Sequence, residues 1–443
     1  MRGVRSLLIL LVIAVAVGWF AYRDSQRPPE SGPARDKVFD VEADQIESLT
    51  VRAGSGDETR LQKTDGEWQI VSPVTAPSDT ATVSGVASNL ASLEIQRVVD
   101  ENPPDLGEYG LDAPRVQVSF RSGDQEHALL LGSKAPSGTD MYAKRGSNNT
   151  VFLVASHLET TFDRSTFELR DKAVLKVDRD TLDTLELSTG NRTIRFVRPG
   201  GEWQIEAPIA AGADYSTVDG LARRLAGLQM TGIVDEAAAD LGKYGLDRPA
   251  ATARLGSGSS LAALAFGSTA PDGGVYARDV SRPVVVTVEA SVLDDIKKDL
   301  AEYRQKDLFD ARSFNTTHVE IVREGQTYAF EKTSVKNDQG QEEQQWRQTS
   351  PQNRELDQST FDALLSAVTR LRADSFVDAA PAKAMAAPHM TIALKFDEGK
   401  KDERVTVARL GDDAYAARQG EPGAARVPAT LVESIDKALQ ELK

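Results

Sequence analysis

The chain has 443 residues, 40% hydrophobic and 27% charged, with 67 acidic side chains against 52 basic ones and a formal net charge of −15. That length exceeds one ordinary core and calls for about three domains of roughly 100–150 residues, in proportions that fold in water. The negative balance, with no Lys/Arg-rich run in the body to offset it, argues against nucleic acid as a partner, and the lack of cysteine excludes disulfides, thiolate chemistry, cysteine-held metals and a lipid-attachment thiol.

In chain order, Met1-Arg2-Gly3-Val4-Arg5 leads into an uncharged run over residues 6–22, rich in Leu, Ile and Val, that closes with Trp19, Phe20 and Tyr22 before Arg23-Asp24. As a helix, residues 4–22 would measure about 28 Å, close to the hydrocarbon thickness of a bilayer. Aromatic residues at its end suit an interfacial belt, whereas signal cleavage needs small residues there. We therefore expect a transmembrane anchor over 4–22. Arg2 and Arg5 are then expected to stay cytoplasmic, in a single-pass protein of the cell inner membrane with its C-terminal bulk in the periplasm or otherwise outside the cytoplasm. A cleaved signal, or a helix docked on the protein's own surface, are the alternatives. Residues 23–37 read as a Pro-rich linker, with Pro28, Pro29 and Pro33 among polar residues.

Beyond the linker the sequence repeats itself, which sets the architecture before any local reading. Gly66-Glu67-Trp68-Gln69-Ile70 returns one domain length later as Gly201-Glu202-Trp203-Gln204-Ile205. Leu106-Gly107-Glu108-Tyr109-Gly110-Leu111-Asp112-Ala113-Pro114 returns at the same offset as Leu241-Gly242-Lys243-Tyr244-Gly245-Leu246-Asp247-Arg248-Pro249, and Leu131-Gly132-Ser133 as Phe266-Gly267-Ser268. A third, degenerate copy places Trp346 slightly further beyond Trp203 than Trp203 lies beyond Trp68, the extra length being absorbed by a polar insertion around 336–340. Domain limits of 38–173, 174–310 and 311–443 follow.

Each copy carries one clear amphipathic helix. Asp79, Asp214 and Asp357 precede the apolar series Val83, Val86, Leu90, Leu93; Val218, Leu221, Leu225, Leu228; and Phe361, Leu364, Val368, Leu371. Steps of three, four and three put each series on one helical face, and the Asp sits where it caps the first turn. Around the first of these helices, runs at 46–52, 59–63, 67–71, 115–121, 127–131 and 151–154 read as strands between turn signals. A second helix is predicted to begin near Ser156, Ser291 and Thr430. The fold class is α+β: three tandem copies of a domain with mostly antiparallel sheet and two helices, following the transmembrane helix.

The Trp strand, the Tyr-Gly-Leu-Asp-x-Pro turn and Arg170-Asp171-Lys172 resemble the bacterial family catalogued as domain of unknown function 4340. The resemblance covers nearly all the chain after the linker. It implies one N-terminal membrane segment, repeated domains, and an association with ABC-type export systems of the gliding-motility kind, hence permease or ATPase subunits as partners. It supplies no catalytic residue. The third copy departs from the pattern, with only Ala386-Ala387-Pro388 where the turn belongs.

Local chemistry accounts for the repeated motifs without a ligand. In the turn, Gly supplies positive φ, Asp bonds nearby N–H groups and Pro forces an extended entry to the next strand. Tyr109, Asp112, Tyr244 and Asp247 are candidate binding or structural residues, and Trp68, Trp203 and Trp346 read as core, each indole N–H bonded to a nearby carbonyl. His127, His157, His318 and His389 form no metal-ligand spacing, and no nucleophile elbow, Walker loop or dinucleotide fingerprint occurs. The acidic stretch 338–343 reads as a solvated hairpin tip rather than a calcium loop. The chain thus reads as a non-enzyme without cofactor or metal, an extracytoplasmic interaction protein of an export system. The alternative is an envelope glycan-binding protein or hydrolase with a carboxylate site in a cleft between repeats.

Overall fold

The computed structural model describes residue 19 and residues 35–336, 341–380 and 382–442. The anchor expected over 4–22 lies outside them apart from Trp19, as do most of the linker and residues 338–340 of the acidic stretch. Among the described residues no helix is long and apolar enough to cross a membrane.

Three nine-stranded antiparallel sheets of identical topology follow one another. In the first copy, β1 (Ile46–Arg52), β2 (Glu58–Thr64), β3 (Glu67–Ser72) and β4 (Ala76–Pro77) make one meander. Helix α1 (Thr80–Ala91) then crosses to β5 (Arg97–Asp100), and β6 (Val116–Ser122), β7 (Gln125–Lys134), β8 (Asp140–Arg145) and β9 (Val151–Ala155) make a second meander. The order across the sheet is β4-β3-β2-β1-β6-β7-β8-β9-β5, so the meanders join at β1 and β6 and β5 closes the far edge. The second sheet lies within 184–288 and the third within 316–427. The six strands read from the sequence are present. The structure adds β4, β5 and β8, two very short edge strands and one whose polar residues hide its alternation.

Local chemistry explains the pairing. Strand β1 buries Ile46, Leu49 and Val51. It pairs with β2 through Leu49↔Leu61 and with β6 through Val51↔Val118, so one sheet face is apolar. Asp65 (φ 53°) and Gly66 (φ 86°) form the two-residue turn between β2 and β3, a positive-φ pair of the type that matches strand twist.

The apolar face packs on the amphipathic helix. Helix α1 reads Thr-Ala-Thr-Val-Ser-Gly-Val-Ala-Ser-Asn-Leu-Ala, and its β-branched residues and glycine each disfavour helix by up to about 1 kcal/mol. Burial decides the outcome: Val83, Val86, Leu90 and Leu93 are all buried, at roughly 1.5–3 kcal/mol for each large apolar side chain as an upper estimate. Asp79 caps α1 by accepting from Thr82 N at 2.9 Å, as Asp214 does from Thr217 N at 2.9 Å and Asp357 from Thr360 N at 2.8 Å.

The second helix differs from the expectation in two copies. It is continuous only in the third, as Ala429–Glu441. In the first copy it breaks into α2 (Leu158–Phe162) and α3 (Thr166–Leu169), and in the second into Ser291–Lys297 and Leu300–Tyr303. Capping boxes, Ser165 with Glu168 and Asp299 with Glu302, start a fresh helix at each break. Two compact units result, one ending at Lys172 and the other beginning at Ala173 and holding the second and third copies.

Candidate functional site

The repeated turn is a packing element on the sheet face opposite the helix. Residues Gly107–Tyr109 and Leu241–Tyr244 form single 3₁₀ turns, each ended by a left-handed glycine, Gly110 (φ 67°) and Gly245 (φ 65°). The next leucine, Leu111 or Leu246, is buried. Asp112 accepts from Ala113 N at 2.8 Å, while Asp247 is exposed. Tyr109 and Tyr244 are half-buried and meet Tyr142 and Tyr276 edge-on, with centroids 5.0 and 5.2 Å apart. Tyr244 also donates to Asp235 at 3.1 Å, and burial followed by that bond pushes its hydroxyl pKa up.

This docking pairs the two sequence motifs. A Cβ on Gly132 would lie 2.2 Å from the Tyr109 carbonyl oxygen, and one on Gly267 only 2.0 Å from that of Tyr244. The glycine of Leu-Gly-Ser is therefore required by the Tyr-Gly-Leu turn lying over it. In the third copy a short helix, Ala382–Met385, replaces the turn, and Ala408, beside Val407 opposite Met390, occupies the glycine's place. Both motifs are lost together because each exists to fit the other.

Trp68, Trp203 and Trp346 are buried at 4%, 2% and 5% exposure, which places all three in the core. Trp346 packs on Phe361 of its helix with centroids 4.5 Å apart, and the Gln358 amide brackets its backbone N–H and C=O. The Trp203 indole donates to the Asp219 carboxylate at 3.2 Å rather than to a carbonyl, tying strand to helix through a charge. Of the histidines, His389 lies 2.8 Å from Asp436, and His127 stacks on Phe120. No group of three or more potential metal ligands occurs among the described residues.

The second compact unit contains a concave cleft of about 750 Å³ between its two copies, within the range of ligand sites. Gln204, Gly212 and Tyr215 line it from the second copy, and Asn315, Gln419 and Glu421 from the third. Arg418, the last residue of the strand Asp413–Arg418, binds Asp310 at 2.8 Å and Glu403 more closely through the same Nη2. Glu403 also accepts from the backbone N–H groups of Asp310 (2.9 and 3.1 Å) and Ala311 (3.2 Å). Burial works against ionisation of both carboxyls. At Asp310 the Arg418 charge outweighs it and holds the pKa low, whereas burial and the Asp310 charge leave Glu403 raised.

Glu421 joins the two copies. Its carboxylate accepts from Gly212 N and from Arg304 Nη2, both at 3.2 Å, and the Arg304 guanidinium lies 3.9 Å from the Phe376 ring centroid. Apart from Arg304, which takes the repeat position of Arg170, as the bridges Ala213↔Arg304 and Ser78↔Arg170 show, the sequence signalled none of these residues, because they belong to the joint between copies and not to the repeat. The Gly420, Pro422 and Gly423 cluster around Glu421 was the one available hint of a shaped turn.

The chain belongs to the family described as Domain of unknown function (DUF4340), whose family model matches residues 68–202 and 203–390. The matched segments begin at Trp68 and Trp203, the period found in the sequence. No curated protein and no solved structure matches the chain.

Proposed function

We propose that this member of the family is a non-catalytic, membrane-anchored extracytoplasmic interaction protein, an accessory component of an ABC-type export system. The observation that carries this reading is the division of labour among its residues. The repeated motifs are engaged in packing inside their own copies, while the exposed polar residues differ from copy to copy. Repetition that preserves a core and varies the surface suits a scaffold presenting several docking faces. The apolar run at 6–22 supplies the tether, and the acidic surface keeps the body from anionic headgroups.

The alternative, a glycan-binding protein or carboxylate hydrolase, draws support from the cleft and the closeness of Asp310 to Glu403. For hydrolysis the support is weak. Two catalytic carboxyls must flank a glycosidic bond, and here the guanidinium of Arg418 occupies the space between them.

The test of the export reading is crosslinking in cells, purification of the full-length protein from native membranes and mass spectrometry of its companions. A permease or ATPase subunit is expected to co-purify, and to be lost when residues 1–24 are replaced by a cleavable signal. Unchanged activity of the untethered protein, or absence of any such subunit, would sink the reading.

A further inference from the structure

We infer that the cleft between the second and third copies binds a neutral, polyhydroxylated ligand of oligosaccharide type; this stands independently of the export partner. Three features of the lining select that chemistry. First, every cation on its lining is already matched within the protein. Asp307 pairs with Arg312 at 2.9 Å, Asp397 with Lys401 at 3.1 Å, Asp310 with Arg418 at 2.8 Å and Glu421 with Arg304 at 3.2 Å. An anionic ligand would have to break one of these pairs, and with Glu202 and Asp214 also on the lining it meets uncompensated repulsion.

Second, the hydrogen-bonding capacity left over includes two neutral amides that face each other across the cleft. The side chains of Gln204 on one wall and Gln419 on the other line the cleft and make no hydrogen bond to the protein among the described residues. Each offers donors and an acceptor together, the combination that matches a hydroxyl, which also donates and accepts. Tyr215, a residue 41% exposed, adds an aromatic ring, its hydroxyl fixed by Arg198 Nη2 at 2.6 Å and the Arg198 guanidinium 5.3 Å from its centroid. A sugar ring presents C–H groups that pack on such a surface.

Third, an extended peptide is disfavoured. The strand edge facing the cleft, Ala211–Gly212, has its Gly212 N–H taken by Glu421 at 3.2 Å and its Gly212 C=O taken by the N–H of Gln305 at 3.0 Å. Backbone pairing, the source of affinity when a peptide adds to a sheet, is therefore blocked.

The experiment uses the full-length protein in a detergent without a sugar headgroup. Chitotriose, cellotriose and maltotriose are titrated by calorimetry and saturation-transfer NMR, with trialanine and inorganic phosphate as counter-probes. At least one trisaccharide is expected to saturate with Kd below about 1 mM. Gln204→Ala and Gln419→Ala, which remove no bond within the protein, should each weaken it about tenfold, the loss of roughly one hydrogen bond. Arg52→Ala, in the other compact unit, should leave it unchanged. Absence of saturable binding by all three sugars overturns the inference, as does unchanged affinity in both glutamine variants or displacement of the sugar by trialanine or phosphate. Failure here leaves the crosslinking result untouched, so the two proposals fail separately.

Discussion

Gly267→Ala tests the claim that two distant motifs are one packing unit. The added Cβ would stand 2.0 Å from the Tyr244 carbonyl oxygen and 3.1 Å from Leu246 Cγ. An ordinary carbon–oxygen approach is about 3.3 Å or more, so the turn must retreat by more than about 1 Å by that measure. It cannot do so freely. Leu246 is buried in a cluster with Ala265 and Val285, Tyr244 is bonded to Asp235, and Ser268 donates to the Tyr244 carbonyl at 3.2 Å. Overpacking of this kind costs about 1–3 kcal/mol, and partial loss of the leucine's burial adds to it, so we expect about 2–4 kcal/mol in all. The reverse change at the corresponding place, Ala408→Gly, adds no atom and should cost only about 1–2 kcal/mol, for a strand glycine and the loss of a buried methyl. Because a multidomain chain does not unfold in one step, the assay is hydrogen exchange resolved by peptide, with protection of 241–248 and 260–269 compared with that of 382–410. If Gly267→Ala leaves the turn's protection within the range of Ala408→Gly, the pairing argument is wrong.

Other outcomes follow from the same structure. Glu421→Ala should cost about 2 kcal/mol by stranding Arg304, whose side chain is only 8% exposed, and should raise exchange at 211–213 and 304–305 without altering the first unit. Asp214→Ala removes the N-cap of Tyr215–Ala226 and should lower local stability by about 1 kcal/mol, while Asp214→Asn restores most of it. Asp357 is held down to about 2, first by its bond from Ser359 and then by those from Thr360. A lowered folded pKa favours the ionised folded state, so its contribution is complete above the ordinary carboxyl range and disappears as pH falls through about 2. Circular dichroism between about pH 4.5 and 2 should therefore show a shallower acid loss in Asp357→Asn, whose amide caps at every pH.

Much of the fold is legible in the sequence. The constant offset between Trp68 and Trp203, shared by the Tyr-Gly-Leu turns, established tandem copies, and helical spacing of apolar side chains located each main helix with its capping Asp. Strand alternation found the inner strands, since their side chains answer only to water on one face and core on the other. The breaks at Ser165 and Asp299 were signalled by capping boxes in the sequence, but apolar spacing alone masked them.

What the sequence by itself determined is everything that repeats: the number of copies, the helix stripes, the turn chemistry and the buried tryptophans, each fixed by neighbours close by in the chain. What tertiary structure alone decided is the relation between segments far apart. Nothing in Leu-Gly-Ser discloses that its glycine lies under the carbonyl of a tyrosine in an earlier, separate element. Nor does anything near Arg418 disclose that Asp310 and Glu403 converge on its guanidinium, or that Glu421 reaches back to Gly212 and Arg304. Such contacts depend on sheet order and on the joint between copies, and periodicity encodes which face a side chain takes but not what lies across it.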